Sequence, residues 1–588
     1  MGIAFQNSPG TVSREIDLTN SVVAEFSSAG AFAGAFNWGP VDEVFTIASA
    51  KELEARTGKP SNALTALNYA IVSNFLAYSG GIRLVRAAHT LATASEAVAL
   101  NATSAGTGLL VKNDTDFANA AFVSVANAWA IAKYPGIAGN SLKVVVADAA
   151  TFSSTGFAAY KKLFDAAPST SGFSKNKNIA TSLDEVHAVV VDENGYWSGV
   201  SGTVLETYPF LSRFSDAKTT DGEANYFAKV INRKSKYVRI DESVTAGLAT
   251  AIPSCGVTSV GQASNFAFVA LDGNSVTAGA QVVSVSLTGG VDAFDQVTDG
   301  DKIIAYNFLI PETVDVSVLI AGDATAVLAN HLIQNIAEAR GDCIVAISPP
   351  KNAVVNNYGH EVTDILAFRN ELPSTSYAVL DSGWKYQYNR FQDNYIWVPL
   401  CGDTAGLIAQ TDIKSEPWFS PADPDFSTIK NIVKLAFNPD KNARDDLYKL
   451  SVNSIIDSPG FGTVLYGDKT LLDKNSAFSR INVRKLFIIL KKSITKASRY
   501  TLFKINDEIT QARFRATVIP FLTGIKGRRG VTDFLVVCDS TNNTAEVVDT
   551  NNFVGDIFVK PSRSINFITL NFVAVPTGVS FTEVVGTI

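Results

Sequence analysis

The hydrophobic pattern of the chain begins with alternating apolar and polar positions. In residues 8–19, Val12, Ile16 and Leu18 are separated by polar neighbours and follow a Pro-Gly turn. This alternation is typical of a strand, yet no second strand follows closely enough to complete a hairpin. We therefore predict an extended arm over residues 1–20, without a partner strand next to it in the sequence.

The period of the pattern then lengthens to that of a helix. Ser49 and Glu52 have the spacing of a capping box, which predicts a short helix that ends at Gly58. A longer helical repeat ends near Tyr78, and an apolar strand is expected over residues 82–87. The order of helix, glycine stop and strand predicts an α/β region.

Residues 92–299 have a different pattern. They are rich in Ala, Ser, Thr, Val and Gly, with short alternating runs and a turn signal about every ten residues. We predict one or more β-rich inserted domains there. From about residue 300 the α/β pattern returns, with a strand, a helix and a strand expected over residues 314–320, 324–339 and 342–348.

The last hundred residues are predicted to contain one further helix and then strands. The helix is expected over residues 507–522, with an interruption near Pro520 because proline lacks the backbone donor. The run INFITLNFVAV near the end is apolar on both faces, as in a strand inside a sheet. The strands are expected over residues 534–538, 545–549, 556–560 and 565–575.

A basic helix precedes this region. Residues 475–500 contain seven Lys or Arg and no carboxylate. At about 100° per residue, one side of the helix is apolar and the other is positive. We predict that the apolar side packs on a core and that the positive side binds a partner, although a solvated surface helix has the same pattern. The positive side carries Arg480, Arg484, Lys485, Lys491, Lys492, Lys496 and Arg499, and the apolar side carries Val483, Leu486, Phe487, Leu490, Ile494 and Ala497.

Composition limits the classes of function. A chain of 588 residues is too long for a single core, and 46% hydrophobic with 18% charged residues is typical of globular domains. The net charge of -7 argues against general nucleic-acid binding. No apolar run is long enough for a membrane span, and the first residues lack the pattern of a secretion signal, so we expect folding in a cytoplasm.

Catalytic and cofactor motifs are not evident in the sequence. Four cysteines and four histidines are scattered, without metal-ligand spacing, and buried reduced thiols are expected. Residues 458–470 come close to a phosphate-binding loop, but Asp468 stands between Gly467 and Lys469, so a glycine-bent structural turn is the better interpretation. No serine lies in a nucleophile elbow. We therefore predict no enzyme, no metal and no cofactor.

A set of short motifs, taken in order, resembles the sheath protein of contractile phage tails. The resemblance covers roughly residues 8–90 and 310–580, and the order of the motifs is that of the family. One departure is that the family usually has Ala-Arg where Asp468 and Lys469 stand. The motifs are PGTVSREIDLT, SAGAFAGAFNWGP, SAKELEARTGKP, YSGGIRLVRA, VPLCGDTAGLIAQTD, EPWFSPAD, SPGFGTVLYGDKTL, INVRKLFIILKKSI, FKINDE and GDIFVKPSRSINFITLNFVAV.

The resemblance implies a mixed α+β fold of several domains. Residues 21–91 and 300–560 would form the sheath core, residues 92–299 an outward-facing β-rich insertion, and residues 561–588 a C-terminal strand arm that complements the arm of residues 1–20. In the family, the terminal arms exchange with neighbouring subunits to form a shared sheet. The strand-exchange residues would be Val12, Ile16, Leu18, Ile565, Phe567, Ile568, Leu570 and Phe572.

The resemblance also implies a mechanical function. Identical subunits would form stacked rings in a helical sheath around an inner tail tube, and would contract from an extended metastable state to drive the tube through a host envelope. Further partners would be baseplate and tail terminator proteins, with no direct contact to nucleic acid and no membrane insertion. The sheath would be assembled in the host cytoplasm and act in the virion tail. From the one-sided charge of the basic helix, we predict that contact with the inner tube involves Arg484, Lys485, Lys491, Lys492, Lys496 and Arg499.

Three alternatives remain open from the sequence. The chain could be the sheath of a related injection machine, such as a bacteriocin particle or a secretion apparatus. It could be a passive tube or surface-layer protein, which would not show two polymer states of different length. It could also be a hydrolase in the α/β region, which would require a pocket with convergent titratable groups.

Overall fold

The computed structural model describes residues 28–89, 97–100, 109–119, 129–242, 255–268, 271, 282–293 and 296–566. In these residues strands and helices are mixed, as predicted. No helix among them is long and apolar enough to cross a membrane.

The strands have the following bounds: β1 (Gly30–Gly34), β2 (Val44–Ile47), β3 (Ile82–Arg86), β4 (Ala130–Ala132), β5 (Leu142–Ala147), β6 (Glu185–Asp192), β7 (Thr203–Ser212), β8 (Val238–Ile240), β9 (Val283–Ser286), β10 (Val318–Ile320), β11 (Ile344–Ile347), β12 (Ala378–Asp381), β13 (Trp384–Asn389), β14 (Asn394–Pro399), β15 (Lys434–Leu435), β16 (Val452–Ser458), β17 (Gly462–Tyr466), β18 (Val531–Val537) and β19 (Asp556–Pro561).

The α-helices are α1 (Ala50–Thr57), α2 (Ala63–Leu76), α3 (Asp114–Asn119), α4 (Gly172–Asn176), α5 (Phe227–Lys234), α6 (Asp299–Asn307), α7 (Ala326–His331), α8 (Lys351–Val354), α9 (Glu361–Glu371), α10 (Cys401–Lys414), α11 (Lys441–Lys449), α12 (Ile481–Ser498), α13 (Glu508–Gly527) and α14 (Ala545–Asp549). A π-helical segment, Leu332–Glu338, continues α7. Short 3-10 turns lie at Ile137–Ser141, Lys161–Leu163, Ala477–Ser479 and Arg499–Thr501.

The described residues divide into two compact units. The α/β unit contains the described parts of residues 28–415 together with residues 421–479, and the C-terminal unit contains residues 416–420 and 480–566. The boundary at residue 480 falls inside residues 300–560, which the sequence analysis assigns to the sheath core.

An eight-stranded sheet forms the centre of the α/β unit, in the order β17-β16-β12-β11-β10-β1-β3-β2. Its six inner strands are parallel, and the edge strands β2 and β17 are each antiparallel to their neighbour. Parallel strands need helices on both faces, which explains why helices follow most of them in the sequence. The predicted helix after Ser49 is confirmed, because the Ser49 hydroxyl accepts a hydrogen bond from the Glu52 amide and Gly58 ends the helix at a φ of 74°.

The two faces of this sheet bury different residues of the same strands. In β1, Ala31 and Ala33 belong to a core with helix α6 and with the helix formed by α7 and its π-helical continuation. Phe32 lies on the other face, near Ile71 of α2 and Gly322. On that face α2 also packs on α10. A Cβ at Gly406 would lie 2.4 Å from the Tyr78 ring, so this close approach requires glycine.

In the described part of residues 92–299, strands are the commonest regular structure. Four of them form an antiparallel sheet in the order β7-β6-β5-β9, and β4 pairs with β8. Helix α5 contributes Phe227, Ala228 and Ile231 to the core of this region. The region is therefore β-rich, with helices between the strands.

Two predictions for the C-terminal unit are wrong. Residues Ala545–Asp549 form the helix α14 instead of a strand, because the Asn543 side chain bonds the backbone of Val554 on both sides and closes the segment into a compact loop. Helix α13 runs through Pro520 without interruption. Val518, Phe521 and Leu522 around the proline are buried, and their packing offsets the missing hydrogen bond. The predicted arm of residues 1–20 and all but the first two residues of the predicted strand of residues 565–575 lie outside the described residues.

Candidate assembly surfaces

Helix α12 is the basic helix, and its predicted apolar side is confirmed. Leu486 and Leu490 join Phe514, Val518 and Phe521 of α13 in one hydrophobic core. Val483 is also buried, whereas Phe487, Ile494 and Ala497 are half-buried. The repeat of apolar positions every three or four residues places these side chains on one side of the helix.

The six cations proposed to contact a tube are not equally exposed. Lys491, Lys496 and Arg499 are exposed, Arg484 and Lys492 are half-buried, and Lys485 is only 2% exposed. The prediction of one evenly exposed positive side therefore needs correction. Ile488 and Ile489 extend the buried side beyond the predicted apolar arc, and the long aliphatic stem of a lysine can cover apolar surface.

A short segment outside the helices completes this unit. The Trp418 indole donates a hydrogen bond of 3.0 Å to the Arg528 carbonyl oxygen, and its own carbonyl accepts from the Asn482 amide of α12. The Arg528 guanidinium lies 5.1 Å from the Trp418 ring and pairs with Glu416 at 3.0 Å. The sequence EPWFSPAD thus includes a residue that joins α12 to the turn after α13.

The KGRRG run of residues 526–530 covers the last two residues of α13 and this turn. Arg529 has a φ of 65°, and Lys526 pairs with Asp533 at 3.1 Å. Arg528 and Lys526 are thus engaged within the unit, which agrees with the interpretation as a surface turn and gives no support to a phosphate site.

The C-terminal unit has a sheet of only two strands among its described residues. β18 and β19 are antiparallel, with Leu535 opposite Phe558. Val536 is buried and Phe534, Ile557 and Val559 pack on the core of the unit, whereas Leu535 and Phe558 are exposed on the opposite face. Within the part of the chain that the structure describes, the outer edge of each strand has no partner strand. Unpaired edges can accept further strands.

The residues predicted to exchange strands are largely outside the described ranges. Ile565 follows β19 and is 82% exposed. The others, which are Val12, Ile16, Leu18, Phe567, Ile568, Leu570 and Phe572, lie outside the described residues.

The glycine-rich residues 458–470 include the hairpin turn that joins β16 to β17, which confirms the interpretation as a structural turn. Gly460 and Gly462 have φ angles of 91° and 75° at its tip. The Asn453 side chain bonds the backbone of Lys469 on both sides, and the Lys469 ammonium donates to the Tyr448 carbonyl at 2.6 Å. Lys469 is thus held inside the unit.

Sequence reasoning missed a buried polar network at the carboxyl ends of the parallel strands. Asp381 ends β12, and its carboxylate accepts hydrogen bonds from Ser348 at 2.8 and 2.9 Å and from Thr404 at 3.2 Å. Burial raises the pKa of Asp381 to about 7. This edge of a parallel sheet often binds ligands, but here the protein's own side chains occupy it.

A second carboxylate of the network has a buried cation. Lys385 lies 2.9 Å from Asp403, and neither side chain is exposed. The Tyr78 hydroxyl donates to Asp403 at 3.0 Å and accepts from the Lys430 amide. Burial raises the pKa of Asp403 and lowers that of Lys385. The motif VPLCGDTAGL supplies Asp403 and Thr404, and the apolar residues around them were the available signal of burial.

Neither a metal site nor a reactive cysteine is found among the described residues. In the described ranges, no group of three or more His, Cys, Asp or Glu could hold a metal ion. The four cysteines are free and buried, as predicted. Burial raises the pKa of Cys255 to about 11, so this thiol is a poor nucleophile at neutral pH.

Family models match the second half of the chain. The phage tail sheath protein central domain matches residues 295–471, and the phage tail sheath C-terminal domain matches residues 473–574.

Known proteins are similar over longer ranges. The tail sheath protein of Vibrio phage KVP40 is 30% identical, over 98% of this chain and 99% of that protein. The tail sheath protein of Enterobacteria phage T4 is 41% identical over 51% of this chain and 48% of its own. The crystal structure of the sheath tail protein from Listeria innocua has a TM-score of 0.51 and 10% identity, and covers 92% of this chain and 97% of that one, which is a likeness of fold.

Proposed function

This chain belongs to the phage tail sheath family, and we propose that it is a structural subunit of a contractile tail sheath in the virion. The observation that carries this proposal is the similarity to the tail sheath protein of phage KVP40 over 98% of this chain. That similarity spans nearly the whole chain, whereas the family models match residues 295–471 and 473–574. The function requires no catalytic residue, which agrees with a non-enzymatic protein.

Strand exchange is the proposed link between subunits. The two-stranded sheet of β18 and β19 has two edges without a partner strand among the described residues, and the arms of residues 1–20 and 561–588 of neighbouring copies would add strands to it. Each added backbone hydrogen bond contributes a net ~0.5–1.5 kcal/mol. A strand of about five residues would then hold a neighbour by several kcal/mol.

Such a link produces a filament. A contact between two different surfaces that does not close into a ring generates a helix of identical subunits. In the proposed mechanism, the subunits assemble in an extended metastable state and rearrange to a shorter and wider one. New contacts between subunits supply the free energy, while the exchanged strands keep neighbours joined.

Contact with the inner tail tube is proposed for the exposed part of the basic helix. Lys491 and Lys496 on α12 and Arg499 directly after it are exposed and would face carboxylates of the tube. Exposed ion pairs contribute about 0–1 kcal/mol each, so such a contact can guide assembly and still release during contraction. Lys485 is left out of this contact because it is buried in the single chain.

Other proposed partners follow from the position of a sheath in a tail. The first and last rings would contact baseplate and tail terminator proteins, and assembly would occur in the host cytoplasm. The β-rich insertion would face away from the tube, because the arms and α12 are assigned to neighbours and tube.

Electron microscopy of the purified full-length chain tests the proposed function. We expect the concentrated protein to form hollow striated tubes, either alone or after addition of the tail tube protein. Two polymer states would distinguish a contractile sheath from a passive tube. Each subunit would add a greater axial rise in the polymer formed on the tube than in the polymer formed without it. A chain that stays monomeric under both conditions would contradict the proposal.

A further inference from the structure

A second run of cations lies in the inserted region of the chain. Residues 224–240 contain five Lys or Arg and no Asp or Glu. Helix α5 lies in this run, with Phe227, Ala228 and Ile231 buried on one side. Its other side is exposed and cationic, because Lys229, Arg233 and Lys234 lie there. The five cations are Lys229, Arg233, Lys234, Lys236 and Arg239.

An open cleft borders this run. Its volume is about 480 Å³, and residues of α3, α5 and β8 line it. Ligand sites in proteins are typically clefts of about 300–1,000 Å³. We name this cleft the insertion cleft. The charged and amide side chains that line it are Asp114, Lys229, Asn232, Arg233, Arg239 and Glu242.

Contacts within the protein hold the insertion cleft in shape. The Asn232 side chain donates to the Ile240 carbonyl at 2.8 Å and accepts from the Ile240 amide at 2.7 Å, which ties α5 to β8. The Arg239 guanidinium lies 5.2 Å from the Phe117 ring and pairs with Asp114 of α3. A preformed cleft lowers the entropy cost of binding a ligand.

Two of the five cations are paired within the protein. Arg233 pairs with Glu223 at 2.9 Å, and the buried Arg239 pairs with Asp114. Among the described residues, the Nη1 atom of Arg239 has no hydrogen-bond partner, so its charge is only partly compensated. The other three cations are exposed and have no carboxylate partner in the part of the chain that the structure describes. They are Lys229, Lys234 and Lys236.

The remaining charges near the insertion cleft leave an excess of cations. Glu242 accepts a hydrogen bond from the Asn232 amide, and Glu206 accepts from the Ser235 hydroxyl, so neutral groups already bind both carboxylates. Glu43 and Lys133 both interact with Arg239 and have opposite charges. The stretches of chain that follow α3 and Glu242, residues 120–128 and 243–254, contain no charged residue. The charge balance therefore favours an anionic ligand.

The lining also favours hydroxyl groups on that ligand. The Asp114 side chain is 73% exposed, and its pairing with Arg239 occupies one of its two oxygens. Glu242 likewise bonds Asn232 through one oxygen. Each carboxylate can therefore accept a hydrogen bond from a hydroxyl. The Phe117 ring is half-buried and adds an apolar wall.

An acidic sugar combines these properties. Its carboxylate or phosphate group would bind Lys229 and the planar guanidinium of Arg233, which suits such anions. Its hydroxyls would donate to Asp114 and Glu242. Nucleic acid fits less well, because the net charge of -7 repels a dense polyanion. An anionic membrane is flat and does not enter a cleft.

We propose that the insertion cleft binds an acidic sugar, which carries a carboxylate or a phosphate group. Such binding does not require assembly and goes beyond the proposed function. Only the location of the sugar rests on that function: on the outside of a tail, the insertion would meet the polysaccharides of a cell surface.

The test measures binding by calorimetry to the full chain, below the concentration at which it polymerises. The probes are trigalacturonate and glucose 6-phosphate, and their neutral counterparts are maltotriose and glucose. The cleft variant carries Lys229→Gln and Arg233→Gln. The control carries Lys161→Gln and Lys162→Gln, which change exposed lysines elsewhere in the insertion.

We expect at least one acidic probe to bind the wild type more tightly than its neutral counterpart. The cleft variant should lose affinity for it by about tenfold or more, because charge-assisted hydrogen bonds are removed. The control should change by less than about twofold, since exposed lysines far from the ligand contribute little. All three proteins should melt at the same temperature, because the replaced side chains are exposed.

Four outcomes would overturn the inference. Neither acidic probe could bind the wild type. The cleft variant could bind them as the wild type does. The neutral sugars could bind as tightly as the acidic ones. The wild type could instead bind single-stranded DNA or phosphatidylglycerol vesicles through the two replaced cations and bind no sugar, which would make nucleic acid or a membrane the partner. The proposed function is tested separately, because polymers form or fail to form in electron microscopy whatever the chain binds at this cleft.

Discussion

The α/β unit and the C-terminal unit differ in what they leave to solvent. In the α/β unit, eight strands form one sheet, and even the ion pair of Lys385 and Asp403 is fully buried. In the described part of the C-terminal unit, the sheet has two strands, and Leu535 and Phe558 are exposed on its outer face. The same unit also exposes Tyr500, Leu502, Phe503, Ile505 and Ile509, each by at least 62%.

This difference indicates that the two units are completed in different ways. A two-stranded sheet is marginally stable on its own, and apolar side chains that stay exposed do not contribute the free energy that burial would give. The α/β unit completes its eight-stranded sheet within one chain, although it too exposes apolar side chains such as Val260 and Tyr358. The C-terminal unit completes its sheet, in our proposal, only when other copies supply strands, which is what a subunit of a polymer needs.

The largest expected effect comes from removing the proposed exchange arm. Deletion of residues 1–18 should abolish assembly at concentrations where the full chain polymerises, because several kcal/mol per link are lost. The monomer should keep its circular dichroism spectrum and its melting temperature. Electron microscopy measures assembly. Circular dichroism and calorimetry measure the fold and the melting temperature of the monomer. Long tubes formed by the truncated chain would show that this arm does not link subunits.

A large effect on stability, without a direct effect on assembly surfaces, is expected in the α/β unit. Lys385→Met leaves the buried Asp403 without its cation and should cost about 3–5 kcal/mol of unfolding free energy. The control Lys449→Met breaks an exposed pair with Asp446 and should cost less than about 1 kcal/mol. Denaturant unfolding distinguishes the two. Equal losses would mean that the network around Asp403 is not buried in solution.

The unfolding free energy of the α/β unit should also depend on pH, by less than the loss expected for Lys385→Met. The sign of this dependence is opposite to that of an ordinary carboxylate. The pKa of Asp381 is raised from 3.8 to about 7 in the folded chain, so folding takes up a proton. Its stabilising contribution is therefore complete below about pH 4 and is lost as the pH rises to about 7.

Asp381→Asn should remove that dependence. Because one pKa unit corresponds to about 1.4 kcal/mol, the wild type should lose about 2 kcal/mol relative to the variant between pH 5 and pH 7. Unfolding at a series of pH values measures this difference. Parallel curves for the two proteins would show that Asp381 is already ionised in the fold.

The smallest effect is expected at the exposed cations of α12. Replacing Lys491, Lys496 and Arg499 by Glu should weaken assembly on the tube by no more than about fivefold per residue, since each exposed pair is worth about 0–1 kcal/mol. A control with Lys161, Lys162 and Lys175 changed to Glu alters the net charge equally, at exposed positions of the insertion. Co-sedimentation with tube at several salt concentrations measures the effect. Equal losses in both variants would indicate only a net-charge effect.

Much of the fold could be predicted where the signal is local. The helix from Ser49 to Gly58, the strand of β3 and the apolar side of α12 follow from caps, alternation and helical spacing within short segments. Predictions failed where distant contacts decide. Pro520 stays helical because the core packs around it. Residues 545–549 form a helix because the Asn543 side chain binds the backbone of Val554 and closes the loop.

By itself the sequence determined the mixed α/β character, the basic helix, the family motifs in their order and the absence of a phosphate-loop sequence, because each depends on neighbouring residues. Only the tertiary structure decided which cations of α12 are exposed, that Asp381 and Asp403 meet in a buried network, and that Tyr500 to Ile509 stay in solvent. The physical reason is that burial depends on residues far apart in the sequence. The exposure of Lys485 or Phe503 is set by what packs over it, and a pattern of neighbours along the chain does not contain that information.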